Sequence, residues 1–219
     1  MLGFRERGQM FVKICGLSTA PDIAAAVDAG ADALGFVFTD SPRRVDSDVV
    51  RRLVEEVPAG VLTVGVFRDE PLAFVRETVR AAGIGSVQLH GTHPPAAFAA
   101  LRELGLTLVR ATAAASAAGA ACGDFGEDLL ILDSPSPGSG EPWDWSALGA
   151  TPPAGRWMLA GGLGPGNVRE AIGAARPWGV DVSSGVEARR GVKDPALIEE
   201  FIRRAKAGGP RRADGQSPA

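Results

Sequence analysis

The sequence predicts a single-domain (β/α)8 barrel. Eight short apolar runs alternate with longer segments of helical pattern along the 219 residues. The runs are apolar at nearly every position, which is typical of parallel strands covered on both faces. Eight such units favour a closed barrel over an open doubly wound sheet, and the glycine-rich dinucleotide fingerprint is missing after the first run. We expect the barrel over residues 10–207.

The predicted elements follow one another in regular order. Strands are expected at Phe11–Cys15, Ala33–Phe38, Val61–Phe67, Ser86–His90, Leu106–Arg110, Leu129–Leu132, Trp157–Ala160 and Val180–Val182. Helices are expected at Ala20–Ala29, Asp48–Val57, Pro71–Ala82, Pro94–Leu104, Pro165–Ala175 and Ala196–Ala207. Pro21 in the first turn and Gly30 after the last fix the bounds of the first helix. An alanine-rich segment, Ala113–Ala121, and a short segment, Trp145–Leu148, predict the two remaining helices.

Composition and charge argue against several classes of protein. The formal net charge is −3 and both signs are spread along the chain, so no basic stripe indicates nucleic-acid binding. We find neither a secretory signal nor an apolar run of about 18 residues, and expect no contact with a membrane. Two cysteines are too few for a disulfide framework and predict a cytoplasmic protein. Residues 208–219, rich in Gly, Pro, Arg and Ser, predict a disordered tail.

Two candidate catalytic groups stand at strand ends, where barrels of this kind carry their function. Cys15 ends the first strand, two residues after Lys13, whose charge can favour a thiolate; a small buried hydrophobe is the alternative. Asp133 follows the apolar run of the sixth strand, where a loop-capping role is the alternative. In a barrel of eight strands, the first and sixth strands lie across the pore from each other, separated by strands seven and eight, so that the two side chains can flank one substrate. The pair therefore suits removal of a proton from carbon and its delivery to a nearby oxygen.

Two glycine-rich loops predict a phosphate site. Gly161 and Gly162 follow the seventh strand, and Ser183, Ser184 and Gly185 follow the eighth. Glycine lets backbone N–H groups approach an anion closely, and a helix N-terminus adds a favourable dipole. The loops after strands seven and eight are also where such barrels bind phosphate. Ordinary turn glycines are the alternative.

Arg43 and His90 are further candidates for substrate binding. Arg43 lies in the loop after the second strand and can fork a carboxylate or phosphate, although a solvated loop charge is the alternative. His90 ends the fourth strand and is expected to line the pocket or to be a satisfied strand-end residue. We predict no metal site, because no second ligand lies at metal-binding spacing from either histidine.

Together these motifs resemble the phosphoribosylanthranilate isomerase family. The resemblance runs in order from about Val12 to Ile202, and its matching segments are Lys13–Gly16, Gly30–Phe38, Ser41–Arg43, Val64–Phe67, Val87–Gly91, Leu132–Asp133, Gly138–Gly140, Trp143–Trp145, Ala160–Leu163 and Asp181–Glu187. The resemblance implies an Amadori rearrangement of N-(5-phosphoribosyl)anthranilate in tryptophan biosynthesis, without a cofactor. It also implies that Cys15 is the general base, Asp133 the general acid and Arg43 the contact of the anthranilate carboxylate, with phosphate on the two glycine-rich loops.

One departure and two alternatives accompany this resemblance. Pro137 stands where the family usually has a glycine, and the loop after the sixth strand is compact, which leaves closure and turnover rate open. The chain could be another sugar-phosphate isomerase or epimerase barrel. The histidine-pathway isomerase typically has an aspartate in place of Cys15, however, and epimerases normally need a metal. It could also be a non-catalytic barrel that binds a phosphorylated metabolite. In each case we expect a small phosphorylated ligand and a monomer or homodimer.

Overall fold

Eight parallel strands close into a barrel in the computed structural model, which describes residues 9–114, 119–134, 143–145, 148 and 151–208. The strands are β1 Phe11–Cys15, β2 Ala33–Val37, β3 Leu62–Phe67, β4 Ser86–His90, β5 Thr107–Ala113, β6 Leu129–Asp133, β7 Trp157–Leu159 and β8 Gly179–Val182. Each strand pairs with the next, and β8 pairs back with β1. The predicted fold is confirmed.

Six helices of the described residues cover the outside of the barrel. They are α1 Ala20–Asp28, α2 Ser47–Val54, α3 Leu72–Ala82, α4 Pro95–Arg102, α5 Val168–Ala175 and α6 Pro195–Gly208. Local sequence explains their ends: the Thr19 hydroxyl accepts the N–H of Asp22 at the start of α1, and Gly83 takes the left-handed conformation that ends α3. Helix α6 packs against α1 and α5 and so completes the ring.

The strand side chains divide into an inner and an outer core, because successive residues of a strand point to opposite faces. Inside the barrel, Val64, Val109, Ile131 and Met158 pack together. Outside it, a larger cluster fills the space between strands and helices. Cys15 lies on the inner face, in contact with buried side chains of β2 and β3. The alternation therefore turns polar residues at the strand ends into the mouth of the barrel.

The connection between β5 and β6 differs from the predicted helix Ala113–Ala121. Ala113 is the last residue of β5, and residues 115–118 lie outside the described part of the chain. The part that is described after them forms turns, with Gly119, Gly123 and Gly126 at positive φ, which a helix does not accept. A buried ion pair of 2.7 Å between Arg110 and Glu127 holds this segment against the barrel.

Two further expectations fall mainly outside the described residues. The short helix Trp145–Leu148 is described only at its ends, and the loop containing Pro137 and Gly138 is not described. The same is true of the tail beyond Gly208, the residue at which α6 ends. None of the helices that the structure describes is long and apolar enough to cross a membrane.

A hairpin after β8 was not predicted from the sequence. A short 3-10 turn, Ser184–Val186, leads into β9, Glu187–Arg189, which pairs antiparallel with β10, Val192–Lys193. The hairpin packs on the loop after β2, where a side chain at Gly191 would come within 2.7 Å of the Pro42 carbonyl oxygen. It therefore links two loops that are far apart in sequence.

Candidate active site

An open cavity of about 310 Å³ lies at the carboxyl ends of the strands. A smaller one, of about 80 Å³, adjoins it beside the loops after β7 and β8 and shares several lining residues with it. The polar side chains that line the larger cavity include Cys15, Arg43, Arg68, His90, Asp133, Asp181, Ser183 and Arg190. The smaller one is lined in part by Gly161, Gly162, Ser183 and Ser184. Apart from Gly185, every site residue predicted from the sequence lines one of the two cavities.

The Cys15 thiol lies above a buried ion pair. Lys13, two residues earlier on β1, is adjacent to Asp181 of β8, and its Nζ is 2.9 Å from the Asp181 Oδ1. Contact with Asp181 raises the pKa of the Lys13 ammonium despite its burial, so that Lys13 stays charged. Burial raises the pKa of the Cys15 thiol, and the positive charges of Lys13 and Lys193 act against that rise. The thiol is thus the resting form of Cys15, and the nearby Lys13 ammonium can stabilise the thiolate.

Asp133 reaches the same cavity from β6. Its Oδ1 accepts the N–H of Ser134 at 2.7 Å, as a loop cap would, while the side chain also lines the cavity. Burial raises the pKa of this carboxyl, although the Ser134 N–H acts in the opposite direction. His90 Nε2 lies 3.8 Å from the Asp133 Oδ2. Burial, and then the charge of Arg68, lower the pKa of His90 to about 4, so the imidazole is neutral at pH 7.

The loops after β7 and β8 contact each other directly. A side chain at Gly185 would collide with the Leu163 carbonyl, so only glycine allows this approach. Gly161 has a φ of +82°, and a Cβ there would lie 2.7 Å from the Asp133 Oδ1. Asn167 braces the first loop: its Oδ1 accepts the Gly164 N–H, and its Nδ2 donates to the Gly162 carbonyl, both at 2.8 Å. The result is a rigid, glycine-lined recess next to the start of α5.

Arg43 is held in place by a carboxylate. Its Nε and Nη2 donate to the two oxygens of Glu187 at 2.6 Å and 3.1 Å. Its side chain is 15% exposed and passes over Gly16, where a Cβ would come within 2.8 Å of the Arg43 Cδ. Arg43 is therefore a fixed wall of both cavities rather than a solvated loop charge.

Comparison with known proteins identifies the family. The family model described as N-(5'phosphoribosyl)anthranilate (PRA) isomerase matches residues 12–204. The chain belongs to this family. The expectation of an isomerase from this family is thereby confirmed, whereas the roles of individual residues stay predictions.

Sequence relatives and solved structures agree with this assignment. The chain is 44% identical to an N-(5'-phosphoribosyl)anthranilate isomerase of Deinococcus radiodurans, with 90% of this chain and 97% of the relative covered. It is 42% identical to that of Citrifermentans bemidjiense, with 89% and 96% covered. Among solved structures, TrpF from Jonesia denitrificans is 41% identical with a TM-score of 0.83, covering 91% of this chain and 98% of that one.

Sequence reasoning missed several charged residues around the site. Arg68 directly follows β3, and its position at a strand end was a usable signal. Asp181 interrupts an apolar strand, which also marks it. Its pairing with Lys13, which the sequence analysis named only for its charge near Cys15, follows from the neighbouring β1 and β8. Glu187 and Lys193 offered no such signal: Arg43, the partner of Glu187, lies 144 residues away, and Lys193 meets Ser183 and Glu187 only because the hairpin after β8 folds back.

The Cys, His and Asp side chains of the site are not grouped in the way that metal ligands are. Among the residues that the structure describes, no group of three or more His, Cys, Asp or Glu is placed to hold a metal ion. The absence of a metal or organic cofactor from the reaction stays a prediction, tested by chelation.

Proposed function

We propose that this chain catalyses the Amadori rearrangement of N-(5-phosphoribosyl)anthranilate to 1-(2-carboxyphenylamino)-1-deoxyribulose 5-phosphate, a step of tryptophan biosynthesis. The observation that carries the proposal is that Cys15 and Asp133 line one cavity, although β7 and β8 separate their strands. Membership of the family supports it. A structural relative, 35% identical with a TM-score of 0.79 and covering 90% of this chain and 99% of that one, is described as a complex with the reduced form of that product.

Asp133 is the proposed general acid. Because burial raises the pKa of its carboxyl, it keeps a proton to a higher pH than an exposed aspartate does. The proton passes to the ribose ring oxygen as the bond between that oxygen and C1 breaks. The ring oxygen becomes a hydroxyl, and the nitrogen lone pair forms the C1–N double bond of an iminium ion.

Cys15 is the proposed general base. Its thiolate removes the proton from C2 of the opened sugar, and the electron pair of that C–H bond forms the C1–C2 double bond and neutralises the iminium. Loss of the 2-hydroxyl proton and protonation of C1 then give the aminoketose, so atoms and charges balance. The Lys13 ammonium favours the thiolate that this step needs.

The two anionic ends of the substrate have separate proposed sites. The phosphate binds in the glycine-lined recess, where Gly161, Gly162 and the segment 183–185 bring backbone groups close together. The anthranilate carboxylate binds Arg43, whose planar guanidinium matches a carboxylate. His90 is neutral and lines the cavity that also holds the two catalytic groups.

The decisive experiment is loss of phosphoribosylanthranilate fluorescence on addition of the purified protein. Turnover supports the proposal, and complementation of a tryptophan auxotroph lacking this step would place the enzyme in that pathway. Binding without turnover would favour a non-catalytic barrel. Turnover of a different sugar phosphate alone would favour another isomerase or epimerase.

A further inference from the structure

Within the described part of the chain, the Arg43 guanidinium is held along one edge only. Glu187 accepts one hydrogen bond from the Arg43 Nε–H at 2.6 Å and one from an Nη2–H at 3.1 Å. A guanidinium has five N–H donors, so the end formed by Nη1 and the second proton of Nη2 remains available for another acceptor. Arg43 lines both cavities, so a second carboxylate can approach this fork from the cavity side.

Glu187 itself has no capacity left for a ligand. Its Oε1 accepts from Arg43 and from the Nζ of Lys193 at 3.0 Å. Its Oε2 accepts from Arg43 and from the Gly191 N–H at 3.0 Å. Two carboxylate oxygens offer about four lone-pair sites, and all four are occupied. The Glu187 side chain is also only 4% exposed, so its geometry is fixed.

The hydrogen bonds around Glu187 continue to the glycine-lined recess. Lys193, whose side chain is 1% exposed, also donates to the Ser183 carbonyl at 2.8 Å. Ser183 is the first residue of the loop after β8 and lines both cavities. A network of hydrogen bonds thus joins the loop after β2 to the loop after β8, running from Arg43 through Glu187 and Lys193 to Ser183.

We propose that Glu187 is a positioning residue that holds Arg43 for the carboxylate of the substrate, with Lys193 fixing Glu187 relative to the phosphate end. The inference rests on the proposed function, because it assigns that carboxylate to Arg43. Of these residues, Arg43 lines both cavities, whereas the side chains of Glu187 and Lys193 are buried behind it. The hairpin β9–β10 is then the part of the fold that sets the distance between the two anionic ends of the substrate.

The alternative is that Glu187 only staples the hairpin to the barrel. That role predicts a loss of stability and an equal effect on every ligand. A positioning role predicts a loss confined to ligands that carry the carboxylate, because only they use the oriented fork.

The test compares two ligands by isothermal titration calorimetry: the reduced product, and the same molecule without the ring carboxylate. In the Glu187→Gln variant we expect about 10- to 100-fold weaker binding of the first ligand, as for loss of an aligned charged hydrogen bond. Binding of the second should change by less than about twofold. The matched control is Glu200→Gln, which removes a carboxylate from an exposed ion pair of α6 and should leave both affinities unchanged.

A double-mutant cycle and steady-state kinetics complete the design. In an Arg43→Ala background, Glu187→Gln should have almost no further effect on either ligand. In the otherwise unaltered enzyme it should raise KM with kcat within about twofold. Equal weakening of both ligands, unchanged affinity for the carboxylated one, or a variant that does not fold would each overturn the proposal. Failure of the unsubstituted protein to turn over phosphoribosylanthranilate would instead refute the proposed function.

Discussion

A methyl group at Gly35 should disturb the proposed base directly. Gly35 lies on β2 and is the register partner of Cys15 on β1. A Cβ at this position would lie 3.0 Å from the Cys15 Sγ, 3.1 Å from the Cys15 Cα and 3.3 Å from the Lys13 Cε. Gly35 is not among the glycines with positive φ, so Gly35→Ala adds steric contact without backbone strain.

The size of the effect follows from what can move. Ordinary contacts between carbon atoms lie at about 3.5–4.0 Å, so each neighbour must retreat by a few tenths of an ångström. The Cys15 Cα belongs to the barrel wall, where the Gly16 N–H donates to the Gly35 carbonyl at 2.8 Å, so we expect the sulfur to give way. A misplacement of about 1 Å costs about 100-fold in rate, so a shift of a few tenths of an ångström should lower kcat by about 3- to 10-fold. Overpacking should cost about 1–3 kcal/mol of folding free energy.

The assay is the fluorescence loss of phosphoribosylanthranilate, analysed for kcat and KM, together with a thermal melt. Gly173→Ala on α5 is the matched control, since nothing lies within 4 Å of its Cβ position. Alanine in a helix interior should stabilise by about 0.5–1 kcal/mol and leave kcat unchanged. A Gly35→Ala enzyme with kcat within twofold of the parent, or with its whole loss in KM, would refute the reasoning.

Four further predictions test the proposed mechanism. Cys15→Ala and Asp133→Asn should each lower kcat by about 10²–10⁴-fold with folding retained, as for loss of a general base or acid; near-normal activity in either variant would refute its role. Burial raises the pKa of Asp133 above 3.8 and that of Cys15 above 9.0. We expect kcat/KM to be constant at pH values between these two pKa values. It should fall below the Asp133 pKa because the thiolate is lost, and above the Cys15 pKa because the acid continues to ionise while no more thiolate forms. The residual activity of Asp133→Asn should instead keep rising with pH up to the thiol pKa. Arg43→Ala should raise KM by about 10- to 100-fold with a smaller change in kcat, and an unchanged KM would contradict the carboxylate contact. Activity should survive EDTA; loss that a divalent metal restores would overturn the cofactor-free mechanism.

The fold was predictable because each strand and helix of a parallel barrel has its own local pattern of apolar residues in the sequence. Strand β6, Leu129–Asp133, is apolar on both faces, since one side faces the barrel interior and the other the helices. The predicted helix ends lie close to the observed ones because capping signals are local in the sequence: α1 was expected to end at Ala29 and ends at Asp28. The helix expected at Ala113–Ala121 is wrong at both of its ends, which are the parts that the structure describes, and the reason is tertiary. Alanine favours a helix, but the buried pair of Arg110 and Glu127 and several left-handed glycines direct the described part of this segment into turns.

The site was predictable only in part, for a related reason. Each candidate residue could be found at the carboxyl end of a strand or in the loop that follows it, and the barrel gathers these ends and loops at one face. Partnerships could not be found, because they join residues distant in sequence: 144 residues separate Arg43 from Glu187, and 168 separate Lys13 from Asp181. The monomer or homodimer and the cytoplasmic location stay predictions. Sedimentation of the purified protein tests the oligomeric state. The relative from Thermotoga maritima is described as dimeric, which is a statement about that protein alone.

The raised pKa of the Cys15 thiol is consistent with a base that is activated by the reaction itself. Burial raises the pKa of both proposed catalytic groups, which favours their uncharged forms, and a neutral His90 lies beside Asp133. On the proposed mechanism, proton transfer from Asp133 creates an iminium cation next to the sulfur. A nearby positive charge favours the thiolate, so ring opening lowers the thiol pKa when the base is needed. The buried Lys13 adds a permanent charge of the same sign, which reduces the shift that the iminium must supply. On the proposed mechanism, the acid step therefore precedes and enables the base step.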